Sequence, residues 1–311
     1  MTIAWLFPGQ GSQTVGMGKD VLDVSPAARE VFERVDEALS EKLSTLILEG
    51  PEAELVLTAN AQPAIVATSM AILAAIRERV PNLAPPALAA GHSLGEYSAL
   101  VAAGALSLED AVRLVRARGR AMQEAVPPGT GAMAAVMNVE PSKLVELCNE
   151  AAEGEVVAPA NFNGTQIVIA GHAAAVSRAS ALLSGVGAKV IPLKVSAPFH
   201  CALMEPAARV VEKMLGEVSV KAPAFPVVAN FDAKPNQDPS RVKELLVRQV
   251  TGSVRWDESV RLMAEQGVTA ALEIGPGKVL AGLVKRIAKD VKVLSVESAA
   301  ALDQVAAHVG A

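Results

Sequence analysis

Cysteine is almost missing from this chain: 311 residues contain only Cys148 and Cys201. Two thiols give neither a disulfide framework nor a metal-type spacing, and they fit a reducing compartment, so a cytoplasmic protein is expected. Aromatic residues are also scarce, at 3%, namely Trp5, Trp256, Tyr97 and six Phe. So few rings argue against a stacking platform for single-stranded nucleic acid. Basic charge is not in excess either: 28 Lys+Arg against 33 Asp+Glu leave a net charge of −5. That gives no electrostatic footprint for nucleic acid or an anionic membrane. No Lys or Arg precedes Lys19, so no signal peptide is expected. The uncharged stretch Leu55–Ile76 carries Asn60, Gln62 and Pro63 in its first half. The apolar run that remains is too short to cross about 30 Å of hydrocarbon, and no membrane span is expected.

What the chain has in quantity is Ala, Val and Leu, within a hydrophobic fraction of 51%. Small and branched aliphatics of this kind fill sheets covered by helices on both faces. Ile3–Phe7 reads as a buried strand closed by the turn-rich loop Pro8-Gly9-Gln10-Gly11-Ser12. Helical patterns include Ala64–Val80; a strand follows at Ala87–Ala90, then a small-residue helix at Glu96–Ala103. Ser107, with Asp110 three residues on, reads as the N-cap of a helix to about Val126. From Gly131 the order becomes strand Ala132–Met137, helix Ser142–Ala152, strands Val156–Asn161 and Gln166–Ala170, helix Ala173–Leu183 and strand Lys189–Val195. That β-α-β-β-α-β order is the ferredoxin-like unit, bracketed by Pro127-Pro128 and Ser196-Ala197-Pro198. Beyond it, helices Leu203–Leu215, Ser240–Val250, Trp256–Gln266 and Val279–Ile287 alternate with strands Val227–Asn230, Ala270–Ile274 and Val291–Val296. The expected fold is α/β: a larger domain of residues 1–127 and 197–311 built on a parallel sheet, with 128–196 inserted.

Gly91-His92-Ser93-Leu94-Gly95 lies between strand and helix, which is the nucleophile-elbow context. The two glycines let the backbone turn sharply, and Ser93 then stands at a helix N-terminus, where backbone N–H groups stabilise an oxyanion. The plainer alternative is a turn with a capping serine. A nucleophilic serine needs a base, and the chain has four histidines: His92, His172, His200 and His308. His308 is in the C-terminal tail, His172 opens a helix of the insert, and His92 adjoins Ser93 as a local hydrogen-bond partner. His200, in the loop Ser196-Ala197-Pro198-Phe199-His200-Cys201, is favoured by elimination over a purely structural histidine. On the helix from Leu108, Arg113, Arg116 and Arg120 fall on a solvated flank, whereas Arg118 falls beside Ala111, Leu114, Met122 and Ala125. A guanidinium there is either snorkelling, internally paired, or a fork for a substrate carboxylate.

Five segments then stand in order: Phe7-Pro8-Gly9-Gln10-Gly11-Ser12-Gln13, Gly91-His92-Ser93-Leu94-Gly95-Glu96, Arg118-Gly119, Ala197-Pro198-Phe199-His200 and Glu273-Ile274-Gly275-Pro276-Gly277. Together they resemble the malonyl-CoA:acyl-carrier-protein transacylases over nearly the whole chain. The resemblance implies an α/β-hydrolase-like large domain with an inserted ferredoxin-like domain. It implies Ser93 as the acylated nucleophile, His200 as the base, and the backbone N–H groups of Gln10 and Leu94 as the oxyanion hole. Arg118 would hold the malonyl carboxylate, and Gln249 would orient the histidine through its main-chain carbonyl. His92 is carried over as a supporting residue, and Phe199 as the residue that goes with malonyl rather than methylmalonyl.

Malonyl-CoA is then a substrate, and the partner is an acyl carrier protein bearing phosphopantetheine. Cofactors and metal are none. The carrier protein of this family is acidic and the chain itself is net negative, so docking calls for a local basic patch. A monomer is expected. Two other readings stand beside this one: an acyltransferase or acyl hydrolase serving a polyketide synthase, and a non-catalytic carrier-binding module. Intact Ser93, His200 and Arg118 count against the module, and Arg118 counts against a generic esterase. Thr251-Gly252-Ser253-Val254 reads as a simple loop.

Overall fold

Side chains that alternate along Ile3–Phe7 (β1) face two different cores, which is what a strand covered on both sides requires. Trp5 and Phe7 join one apolar cluster, and Ala4 and Leu6 join another. The computed structural model describes residues 2–195 and 197–310; Ser196, the expected exit of the insert, lies outside them. Around β1 the strands are Leu88–Gly91 (β2), Gly131–Met137 (β3), Val157–Phe162 (β4), Gln166–His172 (β5), Lys189–Pro192 (β6), Val227–Val228 (β7), Pro235–Asn236 (β8), Val254–Arg255 (β9), Ala270–Ile274 (β10) and Lys292–Val296 (β11). One sheet has the order β11-β10-β1-β2-β7-β8, parallel except for the β7–β8 hairpin. The second has the order β6-β3-β5-β4-β9. Its first three pairings are antiparallel, and β4 pairs with β9 in parallel. The fold is α/β with mixed sheets.

The second sheet is not confined to the stretch 128–196. β9 begins at Val254, the last residue of the segment read as a simple loop: Val254 pairs with Asn161 and Arg255 with Phe162, while Ser253 Oγ donates to the Pro159 carbonyl at 2.6 Å. A two-residue strand has too few positions for an alternation to register in sequence. Its effect is to tie the segment before the helix Trp256–Glu265 to the β4 edge of the second sheet.

The helix Thr58–Arg79 corrects the expected length of its apolar run. By length and composition it can cross a membrane, because Pro63 falls inside it and does not end it. Its apolar character has another cause: it runs through the main core, with Ile65, Val66, Ile72 and Ile76 fully buried. Proline lacks the N–H that would bond the carbonyl four residues back. Here that carbonyl belongs to Ala59, and Arg116 Nη1 donates to it at 2.9 Å. Arg116 also bonds Asn60 Oδ1 and pairs with Glu41. It is therefore half-buried and structural, not solvated as its helix face implied. Arg120 remains exposed.

Candidate active site

The elbow between β2 and the helix Gly95–Ala102 is tight because two glycines allow backbones to touch. A Cβ on Gly91 would lie 1.9 Å from the Gly95 main chain, and one on Gly95 would lie 2.2 Å from the Phe7 carbonyl oxygen. The left-handed conformation falls on Ser93 itself, at φ 52. The glycines thus serve close approach, and the strain sits on the serine, as it commonly does where a side chain must be presented. Three side-chain bonds hold this geometry. Ser93 N donates to Asn230 Oδ1 at 2.6 Å, Asn230 Nδ2 donates to the Gly91 carbonyl at 2.7 Å, and Gln249 Nε2 donates to the Ser93 carbonyl at 2.9 Å.

Ser93 Oγ lies 2.7 Å from His200 Nε2, and His200 Nδ1 lies 2.9 Å from the Gln249 carbonyl oxygen. That carbonyl can only accept, so Nδ1 carries the proton and Nε2 is free to take one from the serine. His200 is buried, and burial, with the Arg118 guanidinium as the next cause, holds its pKa well below the ordinary 6.5, at about 3. The imidazole is therefore neutral and ready as a base across the physiological range. Acylation of the free protein should show no inflexion near pH 6.5, and its acid limb should lie well below that. A pH series of single-turnover acylation rates checks this; an inflexion at the ordinary imidazole value would mean a charged His200. The linked stability has a definite sign. With its folded pKa depressed, His200 contributes stability above about pH 6.5 that is lost as pH falls toward about 3.

Arg118 lies on the buried face of the helix Leu108–Glu124 and is 1% exposed. Nη1 donates to Gln62 Oε1 at 2.7 Å, and Nη2 donates to Ser93 Oγ at 3.0 Å and to Gln249 Oε1 at 2.9 Å. All three acceptors are neutral, and Nε has no partner among the described residues. Burial works against this charge and lowers its pKa; the Tyr97 ring, 5.8 Å away, offers a cation–π contact. Of the three readings open for Arg118, neither snorkelling nor an internal ion pair describes this geometry.

Gln10, Gln62, Ser93, Arg118, Met122 and His200 line a cavity of about 100 Å³ together with His92, Met133, Asn161 and Phe199. A groove of about 500 Å³ adjoins it and shares Gln10, Met133, Asn161 and Phe199. The main-chain N–H groups of Gln10 and Leu94 bond no other main-chain group of the described residues. Gln10 is fixed through its side chain, with Nε2 donating to Thr58 Oγ1 at 3.1 Å. His92 departs from its expected role. Its partner is Asn163 Oδ1 at 3.0 Å, between β4 and β5, and its ring lies 5.6 Å from that of Trp256. His172 and His308 bond main-chain groups elsewhere, Val156 N and the Ala271 carbonyl. Glu273 caps the helix Val279–Ile287 through Leu280 N and Ala281 N and also accepts from Ser295 Oγ. Sequence reasoning passed over Glu96, Asn230, Gln62 and Asn163. Glu96 and Gln62 carried a signal, each being a polar side chain inside an otherwise apolar helix pattern.

An acyl transferase domain model matches residues 4–306. The chain belongs to the acyl transferase family. Curated relatives include the malonyl CoA-acyl carrier protein transacylase of Haemophilus influenzae, 47% identical over 97% of this chain and 97% of its own. That of Escherichia coli K12 is 49% identical over 91% and 92%. Among solved structures, the acyl-carrier-protein-S-malonyltransferase of Bartonella henselae superposes with a TM-score of 0.96 at 48% identity, covering both chains in full. A malonyl-transacylase in complex with a type II PKS acyl-carrier protein gives 0.95 at 44% identity, again covering both chains in full. In this member of the family Ser93, Arg118 and His200 face one cavity.

Proposed function

We propose that this acyl transferase moves a malonyl group from malonyl-CoA to the phosphopantetheine thiol of an acyl carrier protein. The observation that carries the reading is Arg118. It is a buried cation whose hydrogen-bond partners are all neutral, its Nε has no partner among the described residues, and its Nη2 lies 3.0 Å from the serine hydroxyl. An acyl group ending in a carboxylate supplies the missing anion; a neutral one does not. Ser93 Oγ attacks the thioester carbonyl as its proton passes to His200 Nε2, and the Gln10 and Leu94 N–H groups hold the oxyanion. The C–S bond breaks, the proton goes from His200 to the CoA sulfur, and a malonyl-serine ester remains. The carrier thiol reverses these steps, giving ping-pong kinetics. The residues named complete this chemistry with no cofactor of the protein's own.

The carrier's arm enters through the adjoining groove, where Lys194 is the only charged residue among the described residues that line it. We assign 128–196 to a ferredoxin-like insert, supported by the β6-β3-β5-β4 order, and the remainder, 1–127 and 197–311, to an α/β-hydrolase-like body. We also read the protein as cytoplasmic, monomeric and engaged in fatty acid synthesis. A polyketide pathway is the second reading, favoured by the likeness to the PKS carrier complex. Intact-protein mass spectrometry with a panel of acyl-CoAs tests the function. Malonyl should load stoichiometrically and leave on addition of holo carrier protein, while acetyl should load poorly. Equal loading by neutral acyl groups would overturn the reading.

A further inference from the structure

Gln249 does two jobs at once. Its main-chain carbonyl receives His200 Nδ1, while its side-chain Oε1 receives Arg118 Nη2. The second job depends on which way the amide faces, because an NH2 turned toward the guanidinium would place donor against donor. We propose that Glu96 is a positioning residue that fixes the Gln249 amide, and through it the Arg118 fork that selects the acyl group. The inference rests on the malonyl reading above.

Glu96 sits three residues after the nucleophile, on the first turn of the helix Gly95–Ala102, and is 3% exposed. Its Oε2 accepts from Gln249 Nε2 at 2.8 Å and from Asn230 N at 3.0 Å. The Ser93 carbonyl accepts from the same Gln249 NH2. Two acceptors on one side therefore hold that nitrogen and turn the oxygen to Arg118. Asn230, set in place by the same carboxylate, grips Ser93 N and Gly91 O. One buried carboxylate thus reaches both the elbow and the fork while touching neither reacting atom.

A helix of small apolar residues gains nothing in stability from burying such a group. Burial pushes the carboxyl up to about 7, against the Asn230 N–H, the Gln249 amide and the Arg118 charge, with Asp232 pushing it up slightly further. Near neutrality both protonation forms are accessible, and both keep an oxygen that can accept from Gln249. The hydrogen bond, not the charge, is then what positions the amide.

Four single variants and one double variant test this, read as the malonyl-to-acetyl ratio of kcat/KM. Glu96→Met fills the space without an acceptor and should lower the ratio about tenfold to a hundredfold, the scale of a small misplacement at a reacting centre. Glu96→Asp keeps the charge but falls short by one methylene; it should show the same direction of loss and covers the case in which Glu96→Met fails to fold. Glu96→Gln keeps an acceptor oxygen and should stay within about threefold of the parent. Gln249→Met should lower the ratio like Glu96→Met, and the double variant should be no worse than either single one, the mark of residues acting as a unit. Additive losses, an unchanged ratio in folded Glu96→Met or Glu96→Asp, or a Glu96→Gln as damaged as Glu96→Met would each overturn the proposal. A parent protein that loads acetyl as well as malonyl would instead overturn the functional reading on which it rests.

Discussion

Ser93→Ala should take up no acyl group from malonyl-CoA, and His200→Ala should acylate about 10²- to 10⁴-fold more slowly than the parent, the scale of a lost general base. Both follow from one geometry. Ser93 Oγ has His200 Nε2 at 2.7 Å on one side and Arg118 Nη2 at 3.0 Å on the other. The hydroxyl can give its proton only toward the imidazole, since the guanidinium only donates. Removing the imidazole leaves Arg118 and the backbone donors in place, so malonyl-CoA should still bind. The loss should therefore appear in kcat, with KM changed only a few-fold, because the interaction removed is made in the transition state. Intact-mass labelling followed by peptide mapping checks the first variant, and rapid-quench acylation checks the second. A persistent label in Ser93→Ala would place the nucleophile elsewhere, and a near-normal rate in His200→Ala would do the same for the base.

Much of this site was legible before any coordinates, because its strongest elements are short patterns with a local cause. The elbow reads from Gly91, Ser93 and Gly95, as no other residue tolerates the 1.9 Å and 2.2 Å approaches found at the glycines. The Ser107 cap, with Oγ accepting from Asp110 N at 3.0 Å, follows from the same local chemistry. Helix phase alone places Arg118 beside apolar residues, although it leaves three readings of its role open. Phase failed for Arg116 because the reason for its burial is not local. That reason is a carbonyl freed by Pro63 on a different helix, 53 positions earlier in the chain. The same holds for Asn163 and Asn230, which act on His92 and Ser93 through bonds that span 71 and 137 positions. β9 escaped notice because the strand it pairs with, β4, lies about 90 residues earlier in the chain. Periodicity reports what a segment buries, and it is silent on which polar groups a distant segment will need.

Arg118→Ala should lose most malonyl transfer while acetyl transfer falls little or rises. Breaking a desolvated charge pair costs about 2–5 kcal/mol, which is about 30-fold to a few thousand-fold in the malonyl-to-acetyl ratio of kcat/KM. The direction follows from what the guanidinium touches. In the free protein its hydrogen bonds go to Gln62 Oε1, Ser93 Oγ and Gln249 Oε1, all uncharged. A malonyl carboxylate completes it, whereas an acetyl methyl leaves a buried cation facing an apolar group. Alanine removes that mismatch for acetyl and the partner for malonyl in one step. Arg118→Lys should restore only part of the ratio, because an ammonium cannot bond Gln62, Gln249 and a carboxylate in the planar geometry of the fork. Some stability will be lost in both variants, as Gln62 and Gln249 are left with acceptors unfilled. A ratio of two substrates measured on the same protein is insensitive to the fraction folded, so that loss does not blur the result. Arg120→Ala, exposed on the same helix, is the control and should leave both activities near the parent; Arg116→Ala cannot serve, given its hold on the Ala59 carbonyl. An unchanged ratio in Arg118→Ala would make Arg118 a structural residue and leave malonyl selectivity to other groups lining the cavity.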